Sequence, residues 1–399
     1  MKHNVLLAIV LMMTLVFAGC KSQGEPEQTA YDRPLPPGQF ALRKIVDTAQ
    51  VPDFTMACLD HAGLRSTIDN SLSYLGKPSS ELFFPSGDIT HRMAVESLEA
   101  FAALIDSGVR GSQLNSAIRA QFDTYMSIGC DDRGTVLFTG YYTPIFDGST
   151  RPDARFRYPL YEQPDDLAKG PDGAILGRRN ATGQISPYPT RDVIEQTGIL
   201  KGKELIWLAD AFEAYIAHVQ GSAKIRLPNG SLTTIGYAAN NGQEYHSVGQ
   251  ELVADGRIAS DQLSLSAMIR YFKENQGLID TYVRRNPRFV FFQEEDGPPR
   301  GSLNEPVTTM RTIATDKSIF PRGCLAFIST TMPSTIGGQP NVYSGFALDQ
   351  DTGGAIRAPG RCDVYMGVGD AAGERAGQTY QEGKLYYLFL KPTASVGTY

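Results

Sequence analysis

ALDQDTGGAIRAPGRCDVY, residues 347–365, carries three aspartates, Asp349, Asp351 and Asp363, among glycine turns and a closing strand-like run. Asp351 precedes Thr352-Gly353-Gly354, where an aspartate side chain readily caps a tight turn. Residues 361–365 read as a strand, so the stretch is a turn-then-strand unit able to bring Asp351 and Asp363 close together. From residue 286 onward the texture is the same: short apolar runs cut by glycine. Toward the N-terminus, Asn229-Gly230 marks a hairpin, residues 148–185 are dense in Gly, Pro, Asp and Asn, and LFTGYYTP at 137–144 reads as a strand. Helical periodicities lie among these β-rich regions. Ala94, Leu98, Phe101 and Ile105 share one face, as do Leu114, Ile118, Phe122 and Tyr125. Leu208, Phe212, Tyr215 and Val219 do the same in a helix expected over about 203–219, and further helical patterns fall at 247–257 and 263–284. The expected class is α+β, rich in β, with two domains.

The 399 residues are 42% hydrophobic and 20% charged, an ordinary globular balance. A formal charge of −6 gives no electrostatic reason to expect a nucleic-acid partner. The start is different. Lys2 precedes an apolar run over 5–18 that ends in Phe17-Ala18-Gly19-Cys20. The run is too short for a comfortable membrane span and closes on small residues, as in a secretory signal. Residues 1–19 are therefore expected to be a signal peptide, and 20–40, polar and proline-rich, a tether. Ala-Gly-Cys resembles a bacterial lipobox, which implies acylation of Cys20 and a lipid anchor in the cell envelope. Lys21-Ser22 after it implies, by the lipoprotein sorting rule, the outer membrane, facing the periplasm. Cys58, Cys130, Cys324 and Cys362 then remain, an even set in an exported chain, which favours disulfides over metal. Cys58–Cys130 with Cys324–Cys362 is preferred, since each bond stays within one half of the chain. No C-x-x-C or H-x-x-x-H spacing occurs, so no metal site is expected.

Phosphate-loop, dinucleotide and G-x-S-x-G motifs are all absent from the sequence. What remains is carboxylates and aromatics, the side chains of sugar chemistry. An ordered set of motifs is then recognisable. ATDKSIFPRG (314–323), ALDQDTGGAI (347–356) and RCDVYMGVG (361–369) resemble the three-aspartate domain. LFTGYYTP (137–144), YPTRDVI (188–194), VQGSAKIRLPNG (219–230), IGYAANNGQEYHSVG (235–249) and NPRFVFFQ (286–293) complete a likeness to the membrane-bound lytic murein transglycosylase A family, spanning residues 135–390 or so.

The resemblance implies a double-psi β-barrel built from 41–147 together with 286–399, an inserted β domain over 148–285, and a groove between them. It implies cleavage of the β-1,4 bond between N-acetylmuramic acid and N-acetylglucosamine in peptidoglycan, leaving a 1,6-anhydro sugar and needing no cofactor. The family also fits a place in a cell-wall synthesis or remodelling complex. Its catalytic aspartate matches Asp363; the other two match Asp351 and Asp316. The chemistry agrees: where the sugar's own C6 hydroxyl is the nucleophile, one carboxyl serves first as acid and then as base, and must begin protonated. Burial or a neighbouring carboxylate such as Asp351 would raise its pKa. Asp316 is expected to be structural, and Asp349 an exposed or turn residue. Tyr141 and Tyr142 alternate on a strand, so one stacks on sugar while the other packs inward. Thr143, Gln220, Ser222, Asn240 and Asn241 are expected to bind hydroxyl and N-acetyl groups. Trp207 and His246 are expected to be structural. Two rivals remain: a hydrolase in which Asp351 or Asp349 activates water, and a non-catalytic wall-binding lipoprotein.

Overall fold

The computed structural model describes residues 31–171, 173–334 and 339–392, so the leader and Cys20 lie outside the described residues. The chain begins with β1 (Leu42–Lys44), runs through helices Leu64–Leu75, His91–Asp106 and Gly111–Gln121, and continues as β2 (Phe122–Ser127) and β3 (Val136–Thr143). It then builds β4 (Ile145–Ser149), β5 (Tyr158–Tyr161), β6 (Leu167–Lys169), β7 (Ile175–Arg179) and β8 (Ile185–Ser186). After these come β9 (Glu204–Leu208), β10 (Ala223–Arg226), β11 (Leu232–Asn240) and β12 (Val290–Glu295). The last strands are β13 (Thr312–Ala314), β14 (Leu325–Met332), β15 (Asn341–Asp351), β16 (Arg361–Val368) and β17 (Tyr380–Leu390).

Strands β17, β14, β15, β13, β16 and β3 close into a six-stranded ring, because β3 pairs in parallel with β16 and antiparallel with β17. Closure removes the free edges that an open sheet would expose. β1 and β2 extend the sheet from β17. This ring is the double-psi β-barrel. Its strands share one apolar core with the flanking helices, with Phe138, Ile313, Phe327, Leu348, Val364 and Leu388 at most 1% exposed. A second six-stranded sheet, β12-β11-β10-β4-β9-β5, and a three-stranded one, β6-β7-β8, come from the chain between β3 and β13. Ile206, Ile225, Ile235 and Phe292 form a separate core there. The chain is therefore α+β and β-rich, with two main hydrophobic cores.

Several sequence expectations are corrected. The helix placed near 114–125 stops at Gln121, and Phe122 and Tyr125 belong to β2, paired with β17. The helix placed over 203–219 is two elements. Trp207 lies on β9, and Asp210 caps the helix Ala211–Gln220 by accepting from the Phe212 and Glu213 amides. In both places an apolar spacing of three to four matched a strand as well as a helix, and sheet pairing decided. Residues 31–40 are not a free tether. The Tyr31 hydroxyl donates to Glu382 at 2.5 Å, and the Arg33 guanidinium donates to the Cys130 carbonyl. Among the described residues no disulfide forms: Cys58, Cys130, Cys324 and Cys362 are all buried free thiols. Cys58 sits near Asp53 and Cys130 near Arg33, in different surroundings; Cys324 and Cys362 share the barrel core near Asp349 without bonding. Burial pushes each thiol pKa up, so all four behave as small apolar residues.

Candidate active site

Strand β16 alternates. Cys362, Val364 and Met366 are buried in the barrel core, while Arg361, Asp363 and Tyr365 take the other face. Asp363 stands opposite Thr139 in the parallel β16–β3 pair, and Tyr365 opposite Tyr141. On its other side Asp363 pairs with Ala314 of β13, and Ala314 also pairs with Asp351 of β15. Asp351 and Asp363 are thus held two strands apart, about 10 Å between backbones at the usual strand spacing. That placement comes from β-sheet register, not from their nearness in sequence.

The two carboxylates differ in their surroundings. The Thr139 hydroxyl donates to Asp363 Oδ1. Burial raises the Asp363 pKa to about 6; the Arg361 charge opposes the rise and Asp351 adds to it. Asp351 is engaged on both oxygens. Oδ1 accepts from the Ser302 and Thr352 amides, each at 2.8 Å, and Oδ2 accepts from the Tyr141 hydroxyl at 2.8 Å. Burial raises its pKa too, against the pull of those donors. Gly301 is required beside it, because a Cβ there would lie 2.9 Å from the Gln350 carbonyl and 3.1 Å from Asp351 Cγ.

Both carboxylates line a cavity of about 390 Å³ whose walls come from barrel and inserted strands alike. Tyr141, Gln220 and Ser222 line it, together with Tyr237, Tyr245 and Tyr365. Gln220 and Ser222 flank Gly221, which ends the helix Ala211–Gln220 at a φ of 76°. Gln220 Oε1 accepts from the Tyr142 amide at 3.1 Å, tying the inserted region to β3.

Of the tyrosine pair Tyr142 is the one that packs inward, and three residues expected at the substrate, Thr143, Asn240 and Asn241, lie outside the cavity lining. The Tyr142 ring packs against Gly373 of the helix Asp370–Gln378. Thr143 is fully buried, and its hydroxyl bonds Tyr365 OH at 2.9 Å and Ser222 Oγ at 3.4 Å. Asn241 is a backbone brace: it donates to the Pro189 and Pro287 carbonyls and accepts from the Phe289 amide. Asn240 donates to Tyr237 OH at 2.5 Å and accepts from the Gly242 amide. Each spends its polar atoms on the protein, leaving little for a sugar.

Asp349 is also corrected. It is fully buried, paired with Lys317, and accepts from Thr315 and Tyr387 hydroxyls at 2.7 Å each. It points to the face opposite Leu348 and Gln350, toward Tyr387 and Cys362, in a segment buried on both faces. Asp316 accepts from Ser318 and from the Ala358 amide, anchoring the loop between Asp351 and Asp363. Exposed His246 lies outside the cavity lining. Sequence reasoning missed Thr139 and Arg361. Two-residue alternation from Asp363, and the register of LFTGYYTP beside it, were the signals available.

Known proteins match this architecture. A family model described as the MltA specific insert domain covers residues 137–293, and the 3D domain model covers 311–389. Membrane-bound lytic murein transglycosylase A of Escherichia coli (strain K12) is 30% identical over 280 residues, 68% of this chain and 70% of the relative. The protein of the same name from Vibrio cholerae is 28% identical over 294 residues, 73% of this chain and 72% of the relative. Among solved structures, the membrane-bound lytic murein transglycosylase from Agrobacterium tumefaciens superposes with a TM-score of 0.73 at 25% identity, covering 88% of this chain and 98% of that one. Escherichia coli MltA with bound chitohexaose gives 0.64 at 24% identity, covering 92% and 98%. With the insert and the barrel each matched in order, the chain belongs to the membrane-bound lytic murein transglycosylase A family.

Proposed function

We propose that the protein is a peptidoglycan lytic transglycosylase in which Asp363 is the single acid and base, and whose product ends in 1,6-anhydro-N-acetylmuramic acid. The Asp363 carboxyl protonates the glycosidic oxygen between N-acetylmuramic acid and N-acetylglucosamine as the C1–O bond breaks. The C6 hydroxyl of the same muramic acid then bonds to C1 and passes its proton to the Asp363 carboxylate, restoring the acid. No water is consumed. A relative of the same fold binds chitohexaose, a sugar strand suited to a groove of this kind.

The observation that carries the proposal is the inequality of the carboxylates. Asp363, with a pKa of about 6, retains a proton on roughly one molecule in ten at pH 7. Asp351 has both oxygens occupied by three donors, so it is poorly placed to take a proton from water. Asp349 is sealed in the barrel. A hydrolase would need one of these as a second working carboxylate. The test is mass spectrometry of the fragments released from purified sacculi. Anhydro-muramic ends are expected; reducing muramic ends would convict a hydrolase, and no release at all would favour a wall-binding protein. Acyl chains on Cys20 would hold the enzyme on the outer membrane, facing its substrate in the periplasm.

A further inference from the structure

Asp351 and Asp363 are the carboxylates that line the cavity, and four arginines line it with them: Arg191, Arg288, Arg300 and Arg357. Two of these are already engaged. Arg191 is buried, pairs with Glu195 and donates to the Arg288 carbonyl at 2.9 Å. Arg300 donates to the Asn304 carbonyl and lies within electrostatic reach of Glu295.

Arg288 and Arg357 are different. Arg288 precedes β12 on the inserted wall, and its guanidinium donates to the Gln243 carbonyl at 3.2 Å. Among the described residues no carboxylate pairs with it; the groups within its electrostatic reach are the Tyr237 hydroxyl, which favours its charge, and Arg357, which opposes it. Burial and that like charge both lower its pKa. Arg357 sits on the opposite wall, in the loop between Asp351 and Asp363, with 55% of its side chain exposed and Asp316 no nearer than 3.9 Å. Gly354 of this loop presses on Arg288: a Cβ there would lie 3.1 Å from Arg288 Nε and 3.3 Å from Tyr245 Cβ. Two cations from facing walls thus share the cavity: among the described residues, Arg288 has no carboxylate in ion-pair contact and Arg357 only Asp316, at 3.9 Å. Such an arrangement is unfavourable until an anion enters.

We propose that Arg288 and Arg357 form a carboxylate-binding site that selects muramic-acid strands over uncharged sugar chains. The inference rests on the glycan-cleaving function above and adds what the groove recognises beyond the sugar backbone. A guanidinium holds a carboxylate through paired hydrogen bonds, and one from each wall would grip it as the groove fills. Peptidoglycan offers that group in two forms: the free lactyl carboxylate of a stem-free muramic acid, and the carboxylates of a peptide stem.

The experiment measures binding by the full-length protein carrying Asp363→Asn, which prevents turnover. Arg288→Gln and Arg357→Gln are added singly and together. Three ligands are titrated by calorimetry: chitohexaose, glycan strands stripped of stems, and stem-bearing strands. Each substitution should lower the affinity ratio of a carboxylate-bearing strand to chitohexaose by roughly tenfold, the value of one charge-assisted hydrogen bond. Loss confined to stripped strands identifies the lactyl carboxylate; loss confined to stem-bearing strands identifies the stem; loss on both assigns both. An unchanged ratio in all variants overturns the inference, whether or not absolute affinity falls. If the parent binds none of the three, the glycan-cleaving function falls with it. Arg357, largely exposed, keeps the test clear of folding defects.

Discussion

At the scale of single residues, the burial of Asp363 costs stability near neutral pH and keeps the proton that the proposed mechanism needs. Its pKa rises from 3.8 to about 6 in the fold, chiefly through burial. The folded state therefore holds the proton more tightly than the unfolded chain. The stabilisation this gives is full below about pH 4 and is lost as pH rises through about 6. Above that window a buried, poorly solvated charge remains. Asp363→Asn should lower glycan turnover by roughly a hundred- to ten-thousand-fold, the usual worth of a positioned acid. It should also stabilise the protein at pH 7 by on the order of 2 kcal/mol, and not at pH 4. Urea melts at the two pH values check this; equal shifts at both would show that Asp363 is not perturbed. Asp363 was legible in the sequence because RCDVY matches the family motif that carries its catalytic aspartate. Its companions Thr139 and Arg361 were not, because they matter only through strand register.

Among the elements, the barrel strands are tied by a buried ion pair that the sequence concealed. Asp349 on β15 meets Lys317 and Thr315, from the turn after β13, and Tyr387 on β17. The Asp349 and Lys317 side chains are 0% and 6% exposed. Two residues from Asp351, Asp349 resembles another turn aspartate, and nothing local marks it as interior. Removing one member of a buried pair leaves an uncompensated charge. Lys317→Met should therefore cost about 3–5 kcal/mol. Adding Asp349→Leu should recover a good part of that loss. Chemical denaturation measures both, and a single-variant cost under about 1 kcal/mol would contradict the buried-pair account. Helix ends were misread for a related reason. Phe122, Tyr125 and Leu208 satisfy a helical spacing, yet neighbouring strands claim them.

On the scale of the whole molecule, the proposed lipid anchor at Cys20 would hold the enzyme at one end against an insoluble polymer. Cys20→Ser should move the protein from the membrane to the soluble fraction of cells, leaving anhydro-product formation by the purified protein intact; retention in the membrane would refute the lipid anchor. Sequence by itself determined the β-rich class and the family motifs in their order, and through that resemblance it singled out Asp363 as the expected proton carrier. Those follow from local chemistry: strand periodicity, turn-forming glycines and the few residue types able to move a proton. Only the tertiary structure decided the rest. It left four cysteines unpaired, turned Thr143, Asn240 and Asn241 into internal braces, buried Asp349, and set Arg288 against Arg357. Each of these depends on which strand lies beside which, and on how far a side chain stands from water, and neither is encoded in the spacing of residues along the chain.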